Sequence, residues 1–157
     1  IRPSHGSERT LAGPPPPAFV SALRARGAER VSVGRVVVAT WRPHETTARE
    51  LIDAMGLDLQ VILNKRAVMI LPSGLDKGTG LALALEELGI PPGEVVGVGD
   101  AENDLPFLAR CGLSVAVANA LPIVKEQADH VTLADHGPGV VELIDGLLSS
   151  DALGVNA

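Results

Sequence analysis

Two hydrophobic patterns follow one another along the chain. In residues 18–73, apolar residues at helical spacing alternate with β-branched runs such as VSVGRVVVATW at 31–41. These patterns predict the order α-β-α-β-β. The predicted elements are a helix at 18–27, a strand at 31–41, a helix from Pro43 to Gly56, and a hairpin in which DLQVIL and AVMILP flank residues 64–66.

A second pattern begins near residues 72–74. A helical segment at 76–88 ends at Gly89, and short apolar strands follow at 94–98, 113–117 and 130–133 with helical segments between them. This alternation predicts an α/β fold with parallel strands and right-handed crossovers. The last helix should cover one face of the sheet with an apolar stripe that contains Val140, Leu143, Ile144, Leu147 and Leu148.

Composition narrows the classes of protein that the chain can belong to. Aromatic residues make up 2% of 157 residues, so the core must be aliphatic. The net charge of -6 and scattered arginines argue against a nucleic-acid surface. Cys111 has no partner for an internal disulfide, which indicates a cytoplasmic location, and no apolar run reaches the length of a membrane span. Residues 1–17, polar and then proline-rich, predict an arm or linker, and residues 152–157 a tail.

The stretch VVGVGDAENDLPFL places a polar cluster where a strand ends and a helix begins. Asp100, Glu102, Asn103 and Asp104 lie within five residues, at the strand end where open parallel sheets bind ligands. Asp104 alone is explained as a helix cap, with Pro106 in the first turn. The whole cluster is better explained by a hard cation with oxygen ligands, such as Mg²⁺.

The stretch GLDKGTG places Lys77 in the first turn of a helix, where the macrodipole disfavours a cation. A bound anion or a facing carboxylate would explain this position, and an exposed lysine on a frayed turn is the alternative. Together with Asp100, Lys77 predicts a charge clamp for a phosphoryl group. Four basic residues lie at predicted turns of residues 18–73, where they either contact a phosphorylated sugar or acid or are simply solvated: Arg42, His44, Lys65 and Arg66.

The motifs of residues 75–132 resemble those of haloacid dehalogenase (HAD) superfamily phosphatases of the Cof-type subclass IIB. The matching segments are Lys77, GDAEND at 99–104, VANA at 117–120, and HGPGV before the last helix. The resemblance implies that residues 74–151 are the C-terminal part of a Rossmannoid core, a parallel sheet with helices on both faces. It also implies that residues 18–73 are part of an α/β cap domain.

The resemblance further implies Mg²⁺-dependent hydrolysis of a small phosphorylated metabolite through an aspartyl-phosphate. Asp100 would hold Mg²⁺, and Asp104 would support the metal or its waters. Glu102 would face solvent or lie outside the direct ligands of the metal. Asn103 would orient Lys77, which would neutralise the nucleophile and the phosphate. Asn119 is a candidate for the rim of the phosphate pocket, and a turn-forming role is its alternative.

One motif of the family has no counterpart here. No aspartate of the chain belongs to an Asp-x-Asp pair, the family's nucleophile and general acid, and the chain begins with Ile1 rather than Met. We therefore expect it to be the C-terminal portion of a longer phosphatase, whose missing N-terminal core segment pairs beside the strand that ends at Asp100. The alternatives are a non-catalytic module that binds phosphate or a cation, and a nucleotide-binding α/β domain.

Overall fold

The computed structural model of the protein describes residues 10–149. Within them the chain forms two compact units, the first ending at Gly80 and the second beginning at Leu81. The assignment of residues 18–73 to a cap and of 74–151 to a core stays a prediction. In the predicted arm, residues 10–16 contain neither helix nor strand. Residues 1–9 and the predicted tail lie outside the described residues.

The first unit contains an antiparallel sheet with two helices. Along the described chain its elements are α1 (Pro17–Ala25), β1 (Ser32–Val33), β2 (Val38–Trp41), α2 (Glu45–Ala54), β3 (Leu59–Asn64) and β4 (Ala67–Pro72). The strand order in the sheet is β1-β2-β4-β3, and each neighbouring pair is antiparallel. The predicted hairpin of β3 and β4 is confirmed, with Lys65 in the left-handed backbone region at its turn (φ 53°).

The prediction of a single strand at residues 31–41 is wrong. The backbone N–H of Gly34 donates to the Val37 carbonyl at 2.8 Å, so the run turns back on itself and β1 pairs with β2. The order of elements is therefore α-β-β-α-β-β. Because apolar residues continue on both sides of the turn, hydrophobic periodicity alone does not reveal it.

The core of the first unit lies between its sheet and helices. Phe19 and Leu23 of α1 are fully buried and pack in one cluster with Leu51 of α2 and with Val38 and Ile70 of the sheet. Side chains along β2 alternate between buried and more exposed positions, as expected for a strand with one covered face. Thr40 is buried on this strand, and Trp41 is exposed.

The second unit contains a parallel sheet, as the sequence predicted. Helix α3 (Lys77–Leu88) crosses the division between the units. The later elements are β5 (Val96–Gly99), α4 (Leu105–Leu108), β6 (Leu113–Ala116), α5 (Pro122–Gln127), β7 (His130–Val131) and α6 (His136–Leu148), with 3₁₀ turns at Pro92–Glu94 and Glu102–Asp104. Within the described residues the order is β5-β6-β7, with parallel pairing throughout. Between residues 10 and 149, every helix is too short or too polar to span a lipid bilayer.

The predicted covering of the sheet by α6 holds for only part of the helix. Leu143 is buried and Val140 packs against the core cluster, whereas Ile144, Leu147 and Leu148 are exposed. The physical reason is length, because 13 helical residues extend about 20 Å while a four-residue strand extends about 13 Å. The apolar stripe therefore continues beyond the sheet that is described.

Candidate functional site

The loop after β5 is held together by the carboxylate of Asp104. A single oxygen, Oδ2, accepts the backbone N–H groups of Asp100 at 2.8 Å and of Ala101 at 3.1 Å. Asp104 immediately precedes α4, yet its side chain makes no capping hydrogen bond to that helix. The carboxylate therefore organises the loop behind it and fixes the backbone from which the Asp100 side chain extends.

The glycines of β5 allow this loop to come close to the strand. A Cβ atom added to Gly99 would lie 2.7 Å from Asp104 Cβ and 3.0 Å from Leu108 Cδ1. A Cβ added to Gly97 would lie 2.6 Å from the Cys111 sulfur. The sequence VGVG thus places α4 directly against the backbone of β5, which brings Asp104 within reach of the Asp100 amide.

Asn103 carries an unsatisfied acceptor in the same loop. The residue is 4% exposed, and its Oδ1 atom has no hydrogen-bond partner among the described residues. A buried acceptor without a partner costs about 1–3 kcal/mol. An ammonium group, an ordered water or a metal-bound water would each satisfy this oxygen, which agrees in chemistry with the role predicted for Asn103.

The loop fits Mg²⁺ as a partial set of ligands. In the part of the chain that the structure describes, no group of three or more His, Cys, Asp or Glu side chains is arranged to hold a metal ion. Mg²⁺ usually takes one or two protein carboxylates and keeps several waters. Because Asp104 Oδ2 is occupied by two N–H groups, Asp100 is the better candidate for direct coordination. Both metal-ligand predictions remain untested.

Lys77 is the first residue of α3, and this helix start is well formed. The Thr79 backbone N–H donates to Asp76 Oδ1 at 2.7 Å, and the Asp76 N–H donates to Thr79 Oγ1 at 2.9 Å. Such reciprocal bonds cap a helix N-terminus, so the turn is not frayed, whereas Lys77 itself is exposed, as the alternative interpretation had it. Sequence reasoning missed this pair, although Asp-x-x-Thr before an apolar run is its signal. The predicted approach of Lys77 to Asp100 stays a prediction.

Asn119 is engaged with the start of α6. Its Oδ1 accepts the His136 backbone N–H at 2.8 Å, and its Nδ2 lies 3.0 Å from His136 Nδ1. His136 has a left-handed backbone, with φ of 49°. The side-chain amide therefore stabilises a loop, and a role for Asn119 at a pocket rim would involve His136 as well. The glycines and the proline of the HGPGV segment were the sequence signal for an irregular backbone at the start of α6.

Comparison with known proteins places these features in a family. A model of the haloacid dehalogenase-like hydrolases matches residues 47–144. Phosphoglycolate phosphatase 2 of Saccharolobus solfataricus is 36% identical over 132 residues, which cover 78% of this chain and 51% of that protein. The chain spans about half the length of the curated relatives it matches.

Solved structures show the same architecture. A haloacid dehalogenase-like hydrolase from Bacteroides thetaiotaomicron superposes with a TM-score of 0.60 at 29% identity, over 74% of this chain and 44% of that one. A sugar phosphatase of HAD subclass IIB superposes with a TM-score of 0.61 at 20% identity, over 74% of this chain and 44% of that one. The second likeness concerns the fold alone.

Proposed function

The chain belongs to the haloacid dehalogenase-like hydrolases, as its motifs predicted, and from this premise we propose that the intact protein is a Mg²⁺-dependent phosphatase of small metabolites. The observation that carries the proposal is the loop after β5. There, Asp104 fixes the backbone beside Asp100, and the buried Asn103 oxygen lacks a partner within the described residues. The relatives' names make 2-phosphoglycolate the first substrate to test.

The residues of this chain would bind and orient rather than attack. Asp100 would hold Mg²⁺, Asp104 would position Asp100 and support the metal's waters, and Asn103 would orient Lys77. When bound, Mg²⁺ neutralises negative charge on phosphoryl oxygens. Lys77 would add a second positive charge to the phosphate pocket. Because the chain has no Asp-x-Asp pair, it alone should release no phosphate.

We place the nucleophile on a separate segment that pairs with β5. Within residues 10–149, β5 is paired on one side only, by β6, and Val96 is 37% exposed. A parallel strand added at that edge would end beside Asp100, because the carboxyl ends of parallel strands meet at one edge of a sheet. The greater length of the relatives supports this arrangement.

The test is phosphate release from 2-phosphoglycolate by the intact protein with and without Mg²⁺. Asp100→Asn should lower turnover by a factor of about 100 or more, because a positioned charge in the pocket is lost. Glu102→Gln removes a carboxylate from the same loop and is the matched control, with an expected loss of less than about threefold.

Three other results would count against the proposal. Full activity in Asp100→Asn would exclude its role in the metal site. Mg²⁺ binding without turnover would favour the non-catalytic module. Stabilisation by a dinucleotide, but not by Mg²⁺ with a phosphate analogue, would favour the nucleotide-binding domain.

A further inference from the structure

The turn that follows β6 is anchored to the end of β5 at the carboxyl edge of the parallel sheet. The Val117 N–H donates to the Gly99 carbonyl at 3.3 Å, and the Leu121 N–H donates to the Asp100 carbonyl at 3.0 Å. These two bonds flank a turn of sequence VANA, in which Asn119 is the one polar side chain. Asn119 therefore lies in a segment fixed to the backbone that carries Asp100, at the edge where open parallel sheets bind ligands.

The contacts of Asn119 with His136 fix both the amide and the imidazole. Asn119 Oδ1 accepts the His136 backbone N–H at 2.8 Å, which identifies this atom as the amide oxygen. Nδ2 is then the atom that lies 3.0 Å from His136 Nδ1, and it donates to that nitrogen. A ring nitrogen accepts only when it has no proton, so the imidazole carries its proton on Nε2. This bond uses one of the two hydrogens of Nδ2 and leaves the second for another acceptor.

The backbone of His136 has a conformation that favours glycine. Its φ is 49°, and a residue with a Cβ atom pays about 1–2 kcal/mol to remain in this region. The residue is exposed, so packing of its ring does not offset this cost. A glycine at position 136 would keep the backbone N–H that Asn119 accepts and would avoid the strain. The contribution specific to histidine is the ring nitrogen that accepts from Asn119.

We propose that His136 is a positioning residue, and that the Asn119 amide it holds donates a hydrogen bond to a phosphoryl oxygen of the substrate. The inference rests on the proposed phosphatase function, and it adds His136 to the residues of that site. Two bonds to one residue stop the amide from turning, so its remaining hydrogen is held in a single direction. A phosphoryl oxygen is the acceptor that suits this donor, because its negative charge strengthens the bond. Asn119 would contact the substrate, and His136 would act through Asn119.

The first test measures kcat and KM of the intact protein with 2-phosphoglycolate. A bond to the phosphoryl group already forms in the bound substrate, so its loss should raise KM and leave kcat within about twofold. Asn119→Ala should raise KM at least about tenfold. His136→Gly should raise KM about three- to tenfold while the unfolding midpoint stays equal or rises, because glycine relieves the left-handed backbone. A purely structural role of the ring would give the opposite result, a lower midpoint with an unchanged KM.

His136→Asn is the matched control for the ring nitrogen. Asparagine tolerates a left-handed backbone, and its Oδ1 can accept a hydrogen bond at the place of the histidine Nδ1. The variant should therefore return KM to within about twofold of the unsubstituted protein. A KM in His136→Asn as high as that in His136→Gly would show that the acceptor is not what the histidine supplies.

The second test does not depend on turnover and uses proton–nitrogen NMR of the intact protein in mildly alkaline solution. The His136 ring should show a proton on Nε2 and none on Nδ1. Inorganic phosphate with Mg²⁺ should shift the side-chain NH₂ signal of Asn119, and the shift should be smaller in His136→Gly. If the unsubstituted protein does not hydrolyse 2-phosphoglycolate, the proposed function fails for that substrate, and these signals still decide the role of His136. A proton on Nδ1, or an Asn119 signal that phosphate leaves unchanged, would overturn the inference.

Discussion

Replacing Asp104 tests whether one carboxylate oxygen organises the loop after β5. Both the Asp100 and Ala101 amides donate to the same atom, Oδ2. Asparagine can place its single carbonyl oxygen at that position and keep both hydrogen bonds, although the negative charge is lost. Alanine removes the acceptor and leaves the two N–H groups without it. The pair Asp104→Asn and Asp104→Ala therefore separates hydrogen bonding from charge.

The expected magnitudes follow from the two bonds, at 2.8 and 3.1 Å to a residue that is 4% exposed. A hydrogen bond to a charged group contributes about 1.5–3 kcal/mol, and two bonds that share an acceptor do not add fully. Asp104→Ala should thus lose about 2–4 kcal/mol of local stability. Asp104→Asn, which keeps neutral hydrogen bonds, should lose about 1–2 kcal/mol.

Native-state hydrogen exchange of the two amides measures this difference directly. In Asp104→Ala, the Asp100 and Ala101 amides should exchange faster by a factor of roughly 30 to 700, and in Asp104→Asn by a factor of roughly 5 to 30. Urea unfolding followed by far-UV circular dichroism measures the global free energy of unfolding of the two variants. Equal losses in the two variants, or unchanged exchange in Asp104→Ala, would refute the argument from a shared acceptor oxygen.

Further substitutions in the second unit test its packing and its response to acid. A Cβ at Gly112 would collide with the backbone of Gly93, so Gly112→Ala should cost about 2–3 kcal/mol in urea unfolding, whereas Gly93→Ala meets open space and should change little. Hydrogen bonds from the Ser114 hydroxyl and N–H hold the pKa of Asp129 below its usual value, and the Leu133 and Ala134 N–H groups do the same for the pKa of Glu142. Lowered carboxyl pKa values stabilise the fold above about pH 4, and this contribution is lost as the pH falls through them. Ser114→Ala should therefore weaken the acid dependence of the unfolding midpoint, and an unchanged dependence would exclude this origin.

Local patterns predicted the fold where each element shows its own periodicity. The β3–β4 hairpin and the parallel strands β5 and β6 could be located from apolar runs and from the polar or glycine residues that bound them. The turn after Gly34 could not, because apolar residues continue on both sides of a single closing hydrogen bond. The exposure of Leu148 was hidden for a different reason, since an apolar stripe on a helix does not state how long the strands beneath it are.

The candidate site was predicted in position but not in detail. The sequence located Asp100, Asn103 and Asp104 at a strand end, because strand and helix patterns meet there. It did not show that Asp104 uses one oxygen for two amides, which depends on three-dimensional distance.

The position of Trp41 makes it an optical reporter of the first unit. The chain has one tryptophan and no tyrosine, so its near-ultraviolet emission arises almost entirely from this exposed side chain at the end of β2. During urea unfolding, the emission follows the first unit and the far-UV ellipticity follows both. A difference between the two unfolding curves would show directly that the units unfold separately.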